Sequence, residues 1–155
     1  MARRTRRCIK LLATIQIVSK AEVFIEGNSF SSIKNGILIF VCIEQNDNST
    51  AVTEMVSRII NFRMLEGPKG AISRSLKESS EEVLIVSQFT LAAITDDGNK
   101  PSFHKAAKPS EAKLLYDEFV TTFSKLFSRV KTGKFGAYMD ISITNKGPVT
   151  FNFKT

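Results

Sequence analysis

Along much of this chain, polar and apolar residues alternate with a period of two, which predicts strands. Leu11-Leu12-Ala13-Thr14-Ile15-Gln16-Ile17-Val18 sets Thr14 and Gln16 against aliphatics, the pattern of a half-buried strand. Glu22-Val23-Phe24-Ile25-Glu26 predicts another strand, Gly27-Asn28 a turn, and residues 29–33 the strand after it. Asn35-Gly36 is a further turn signal. Ile37-Leu38-Ile39-Phe40-Val41-Cys42-Ile43, the most apolar run in the chain, then reads as a central strand.

The period then changes. The loop Asn46-Asp47-Asn48-Ser49-Thr50 ends in good helix N-cap residues. Val52, Met55, Val56, Ile59 and Ile60 recur at helical spacing, predicting a helix over 50–61. Residues 62–65 suit a short strand, Glu66-Gly67-Pro68-Lys69-Gly70 is a turn, and the polar stretch 71–82 predicts irregular structure. Val83-Leu84-Ile85-Val86 opens a buried strand expected to run to about residue 93. After the loop 95–101, Pro109-Ser110-Glu111 reads as a helix entrance with Ser110 as cap. Leu115, Phe119, Phe123, Leu126, Phe127 and Val130 form the apolar stripe of that helix and are expected in the core. Two strands, 138–144 and 149–153, flank the turn Asn145-Lys146-Gly147-Pro148. Antiparallel-looking strands and two helices at irregular intervals predict an α+β fold.

At 155 residues the chain is one domain by size, long enough for a proper core. No apolar run approaches the roughly 20 residues of a bilayer span. Cys8 and Cys42 form no metal or redox motif, and a reducing, cytoplasmic setting is expected. The net charge is +7, but Arg3, Arg4, Arg6, Arg7 and Lys10 supply +5 of it, leaving only +2 for the body. Residues 1–10 therefore read as a basic arm ahead of a domain over 11–155. Such an arm suits a polyanion; a solvated terminus or a targeting segment are the alternatives.

The inventory of reactive groups is thin. His104 is the only histidine and lacks the companions a metal site or a general base would need, so it reads as a surface residue. Gly133 and Gly136 lack the Lys-Ser/Thr of a phosphate loop. What remains is Ser87-Gln88-Phe89-Thr90-Leu91, where an aliphatic strand turns polar within a few residues. Such a strand end is either surfacing or lining a site. A threonine hydroxyl is a weak nucleophile without a base, so Thr90 suits orienting a substrate better than attacking it. Gly147-Pro148 offers a turn with unusual dihedral freedom, where a cis or an ordinary trans peptide could stand.

Ser87-Gln88-Phe89-Thr90-Leu91 and Asn145-Lys146-Gly147-Pro148-Val149-Thr150, in this order and spacing, resemble the signature motifs of the D-aminoacyl-tRNA deacylase family. Gly98-Asn99-Lys100-Pro101-Ser102-Phe103, Leu115-Tyr116 and Thr132-Gly133-Lys134-Phe135-Gly136-Ala137 add to the likeness, which spans about 11–153. The resemblance implies a homodimer with an antiparallel-sheet, barrel-like fold and no cofactor or metal. It implies hydrolysis of the ester joining a D-amino acid to the 3′-terminal adenosine of tRNA. Glycyl-tRNA is an implied second substrate. Ser87, Gln88 and Thr90 are the implied catalytic set, with Phe89 beside them in the pocket. Ala112, Phe135 and Met139 are implied as further pocket-wall positions. Gly147 and Pro148, joined by a cis peptide, are implied to enter the partner subunit's pocket and reject L side chains by backbone sterics. The chemistry is then RNA-assisted, with the tRNA 2′-hydroxyl helping.

Three features depart from the family pattern. Gln16-Ile17-Val18 stands where the family usually has Gln-Arg-Val, the arginine being thought to brace the Gly-Pro loop. Ala71-Ile72-Ser73 stands for Lys-Met-Asn, and Tyr138 replaces a smaller or acidic residue. The basic arm is additional, and is expected to bind tRNA phosphates. Two other readings remain at this level. One is a nucleic-acid-binding module, since some relatives are associated with DNA unwinding elements. The other is a paralogue with relaxed chirality, pointed to by Ile17.

Overall fold

A computed structural model describes residues 11–155; the basic arm, with its expected phosphate contacts, lies outside the described residues. The longest threads are β1 (Leu12–Ile25) and β8 (Asp140–Lys154), paired antiparallel. The two strands expected in the first 26 residues are one. The break in pattern is a bulge: Val18 faces Asn145 and Lys20 faces Thr144, so Ser19 is extra. One extra residue resets the alternation. Ala13, Ile15 and Ile17 face one core, whereas Ala21 and Val23 face the other.

On the other edge of β1 lie β2 (Asn28–Ile33) and β3 (Gly36–Cys42), end to end, with Ala21 opposite Ile33 and Val18 opposite Gly36. Beyond β3, β6 (Glu82–Ser87) and β7 (Val130–Thr132) are added in parallel. A parallel neighbour needs a long crossover, and the two helices lie in those two connections. The sheet is therefore mixed rather than wholly antiparallel. It curls until β2 nears β7, where Ser31 Oγ donates to the Thr132 carbonyl and Lys131 Nζ to the Ser32 carbonyl, both at 2.8 Å. The result is a nearly closed barrel-like sheet with two helices, the α+β class expected.

The core has two faces. Ile37, Ile39, Val41, Val83 and Ile85 point toward the helices; Leu38, Leu84 and Val86 point into the curl. Helix α1 (Ser49–Asn61) buries Val52, Met55, Val56, Ile59 and Ile60, and its cap is Asn48, whose Oδ1 accepts from Ala51 N–H at 3.1 Å. Helix α2 (Pro109–Leu126) buries Tyr116, Phe119 and Phe123. Each fully buried phenylalanine contributes about 3 kcal/mol.

Several boundaries differ from the sequence reading. Pro109 is the first residue of α2, the cap position is Lys108, and Ser110 caps nothing. Leu126 ends the helix 63% exposed and leaves the core stripe, whereas Val130 belongs to β7 and packs against the same core from there. The polar stretch 71–82 is not irregular throughout: β4 (Arg63–Gly67) pairs with β5 (Gly70–Ser75) in a hairpin. Its strands carry few buried side chains, so no alternation marks them. Arg74 holds the hairpin instead, donating from Nε to the Glu66 carbonyl at 3.0 Å and pairing with Glu81 at 3.3 Å. β6 stops at Ser87 rather than at 93, and 89–92 form a 3-10 turn. The two C-terminal strands are one strand, β8, interrupted by a bulge. Among the described residues no helix is long and apolar enough to cross a membrane.

Candidate active site

The end of β6 is where the chain leaves the core. Ser87 is its last residue, opposite Val41, and the Gln88 N–H donates to the Val41 carbonyl at 2.8 Å. The 3-10 turn Phe89–Ala92 follows, closed by Ala93 N–H to the Thr90 carbonyl at 3.0 Å. That turn lifts Phe89 and Thr90 to the surface, Phe89 to 58% exposure. A large aromatic held out of the core needs a reason, and its neighbour is Phe103, edge-on at 5.2 Å. The Gln88 amide is hydrogen-bonded to Thr90 Oγ1. Whichever way the amide is turned, neither of its atoms is a base. Thr90 is thus oriented but not activated. Beneath the turn, Cys42 Sγ donates to the Phe89 carbonyl at 3.6 Å. Burial, reinforced by Glu44, pushes its thiol up to about 12. It stays protonated at neutral pH and is no nucleophile.

The other positions expected from the resemblance hang from the same strand. The Ile85 carbonyl accepts two donors, Gly133 N–H at 2.9 Å and the Tyr116 hydroxyl at 3.2 Å. Burial pushes the Tyr116 hydroxyl up to about 12. Its ring lies 5.4 Å from that of Phe135, so Tyr116 sets the position of Phe135. Met139 packs beside Val86, with its sulfur 3.0 Å from where a Cβ on Gly133 would stand. Ala112 lies one turn before Tyr116 in α2, partly buried, its N–H bonded to the Lys108 carbonyl at 2.8 Å. Ser87, Gln88, Phe89, Thr90, Phe135 and Met139 are therefore tied to the C-terminal half of β6, and Ala112 lies on the helix that Tyr116 anchors there. Tyr116 and Phe103, which hold this group, were not singled out as site residues. The signal was there: a tyrosine inside an apolar stripe needs a partner for its hydroxyl.

Gly147 and Pro148 are elsewhere. On β8, Thr150 faces Gln16 and Asn145 faces Val18, so residues 146–149 all lie opposite Ile17 alone. They form a bulge with an exposed tip, and the Gly147–Pro148 peptide is cis. Asn145 spans its base: Oδ1 accepts from Val149 N–H at 3.1 Å, and Nδ2 donates to Thr150 Oγ1 at 3.2 Å. Gly147 sits at φ +117°, where L side chains are strained, and a Cβ there would lie 2.6 Å from Val149 Cγ2. Behind the bulge is a cleft of about 230 Å³ whose lining includes Ile17, Gly36, Glu81 and Gly147. Gly36 and Glu81 mark the start of β6, since Gly36 pairs with Glu82. The two motifs thus stand at opposite ends of a strand, about 17 Å apart by its rise per residue. They do not meet within one chain.

His104 is exposed, its Nδ1 2.8 Å from Ser102 Oγ. Among the described residues, no three His, Cys, Asp or Glu side chains gather as a metal site would require.

The family described as D-Tyr-tRNA(Tyr) deacylase matches residues 14–154. The chain belongs to this deacylase family. Its relatives named D-aminoacyl-tRNA deacylase include those of Francisella tularensis subsp. novicida (strain U112) and Hahella chejuensis (strain KCTC 2396). Each is 41% identical over 144 residues, covering 93% of this chain and 99% of the relative. Among solved structures, the c-Myc DNA Unwinding Element Binding Protein superposes with TM-score 0.89 at 37% identity, over 93% of this chain and 98% of that one. A probable eukaryotic D-amino acid tRNA deacylase shares the fold, with TM-score 0.82 at 17% identity, over 94% and 100%. As a member of the deacylase family this chain is an ester-hydrolysing enzyme.

Proposed function

We propose that the protein hydrolyses D-aminoacyl-tRNA, and glycyl-tRNA with it, to free amino acid and tRNA, and spares L-aminoacyl-tRNA. Water adds to the ester carbonyl and the terminal ribose oxygen leaves with a proton. Ser87, Gln88 and Thr90 position the ester. Phe89, Ala112, Phe135 and Met139 form the walls around the aminoacyl-adenosine. With no base beside Thr90, the ribose 2′-hydroxyl and bound water carry the protons, and the protein supplies orientation and backbone donors.

One observation supports the stereochemical part: the Ser87–Thr90 segment and the Gly147–Pro148 bulge, with the cleft behind it, lie at opposite ends of β6. A bulge that reaches no site in its own chain is suited to reach one in a second copy. The active form is then a homodimer, each pocket completed by the partner's main-chain carbonyls around the substrate α-amino group. An L side chain would collide with that backbone; a D side chain or none would not. The bulge does not need an arginine at position 17. It is held at its base by Asn145 and from the hairpin by Lys146 Nζ, 3.7 Å from Glu66. The activity belongs in the cytoplasm, where aminoacyl-tRNA is consumed.

A second reading, binding to duplex DNA, is favoured by the likeness to the DNA unwinding element binding protein. It gives no role to the pocket. The experiment is deacylation of matched D-tyrosyl-, L-tyrosyl- and glycyl-tRNA by wild type and Thr90→Ala. Loss of the D and glycyl esters with the L ester intact is expected, and Thr90→Ala should keep activity within about tenfold, one hydrogen bond's worth. No turnover of any ester would overturn the proposal in favour of DNA binding.

A further inference from the structure

Two stretches of the body are basic and free of acids: residues 119–139, with +4 from Lys125, Arg129, Lys131 and Lys134, and residues 98–110, which lie beside Phe89. The second carries +3, from Lys100, Lys105 and Lys108. All three lysines are exposed, and among the described residues none is in an ion pair. In the sequence, acidic residues stand only at the flanks of this stretch, Asp96 and Asp97 before it and Glu111 after it, and in space Glu44, largely buried, pairs with Ala106.

The stretch is also tied by backbone hydrogen bonds beside the Phe89–Thr90 turn. Its start is fixed by Ile94 and Ser102, which exchange backbone hydrogen bonds at 2.8 and 3.0 Å. Its middle is tied to the end of β3. Gln45 N–H donates to the Lys105 carbonyl at 2.9 Å, Gln45 Nε2 to the His104 carbonyl at 2.7 Å, and Ala107 N–H to the Ile43 carbonyl at 3.0 Å. At its centre Phe103 stacks edge-on against Phe89. No lysine is more than five residues from Phe103, so each Cα lies within about 18 Å of it. Unpaired cations on a fixed backbone, around an exposed aromatic pair, suit a polyanion whose end enters the pocket.

We infer that Lys100, Lys105 and Lys108 form a phosphate-binding rim for the acceptor end of the tRNA, adjoining Phe89 and Phe103. This rests on the deacylase reading and adds to it a surface for the substrate's backbone, distinct from the residues that meet the aminoacyl ester. Contacts of this kind hold the substrate by charge, so they set KM and its salt dependence and leave the chemical step alone.

The test compares two substrates that share the same aminoacyl-adenosine end, D-tyrosyl-tRNA, which carries the polyanion, and 3′-O-D-tyrosyl-adenosine, which has no phosphate. The variants are the triple Lys100→Ala, Lys105→Ala, Lys108→Ala and the corresponding triple to arginine. For D-tyrosyl-tRNA, the alanine triple should make the slope of log(kcat/KM) against log[salt] shallower by about 2. Its rate on the adenosine ester should stay within twofold of wild type. The arginine triple should keep the wild-type slope. An unchanged slope, an equal loss on both substrates, or lost duplex DNA binding with tRNA turnover intact would each overturn the inference. A wild type inactive on both esters would overturn the deacylase reading, and the rim with it.

Discussion

Asn145 is the residue through which the stereochemical proposal can be tested without touching the bulge itself. Residues 146–149 face only Ile17, so the strand ladder does little to fix them. Apart from the exposed Lys146–Glu66 pair, what fixes them is the Asn145 side chain, bonded to Val149 N–H and Thr150 Oγ1 at 3.1 and 3.2 Å. Asn145→Ala removes both bonds. At about 1 kcal/mol net for each, the loss is about 2 kcal/mol. If all of it serves to hold the carbonyls that exclude L side chains, the ratio of kcat/KM for D- over L-tyrosyl-tRNA falls by up to about 30-fold. Most of the change should appear as faster hydrolysis of the L ester. Asn145→Asp is the control. Its carboxylate still accepts from Val149 N–H, and the Thr150 hydroxyl can turn to donate to it, so discrimination should stay within about threefold of wild type. Single-turnover deacylation of both esters, with urea unfolding alongside, separates the effects. A folded Asn145→Ala enzyme with the wild-type ratio would refute the argument, as would equal losses on both esters.

Two further predictions concern the frame of the site. A Cβ at Gly36 would lie 1.9 Å from the Glu82 carbonyl oxygen, which is backbone and has no side-chain freedom to move away. Gly36→Ala should therefore part β3 from β6 and cost about 3 kcal/mol in urea unfolding; a loss under about 1 kcal/mol would contradict the close approach. In alkali, Cys42 and Tyr116 are both held neutral, their pKa values raised to about 12 from 9.0 and 10.0. The unfolded chain then loses each proton first, so their contribution is intact below pH 9 and 10 and is lost as pH rises toward 12, by about 1.4 kcal/mol per unit for each group. Tyr116→Phe should cost about 1 kcal/mol at neutral pH, because Ile85 O keeps its Gly133 donor. It should also flatten the decline between pH 10 and 12; an unaltered slope in unfolding free energy against pH would count against it.

What the sequence made legible follows from burial. β3 and β6 are buried on both faces, and their unbroken aliphatic runs marked them as central strands. The α1 stripe was equally plain, because all its apolar positions are core. Legibility failed where side chains do not meet the core. The β5 strand is held by Arg74 through the Glu66 carbonyl and Glu81, interactions that leave no periodic trace. The bulge at Ser19 changed the alternation of β1 and made one strand look like two. The short β7 was hidden because Val130 continues the helical spacing of α2 by coincidence.

The site divides along the same line. Ser87 to Thr90 stood out because a polar cluster ending an aliphatic strand breaks a rule that burial enforces. Ala112, Phe135 and Met139 break no rule, and only the family resemblance pointed to them. The one spatial fact no local pattern could supply is the distance between the motifs. Glu82 and Ser87 are the two ends of a single strand, and the Gly-Pro bulge and its cleft belong to the first while the Ser87–Thr90 motif belongs to the second. Strand direction alone therefore keeps the two halves apart in any one chain. If both act on the same ester, as proposed, a second copy is a geometric requirement rather than an addition. The sequence holds both motifs, but only the register of β3 against β6 shows that one subunit keeps them a strand's length apart.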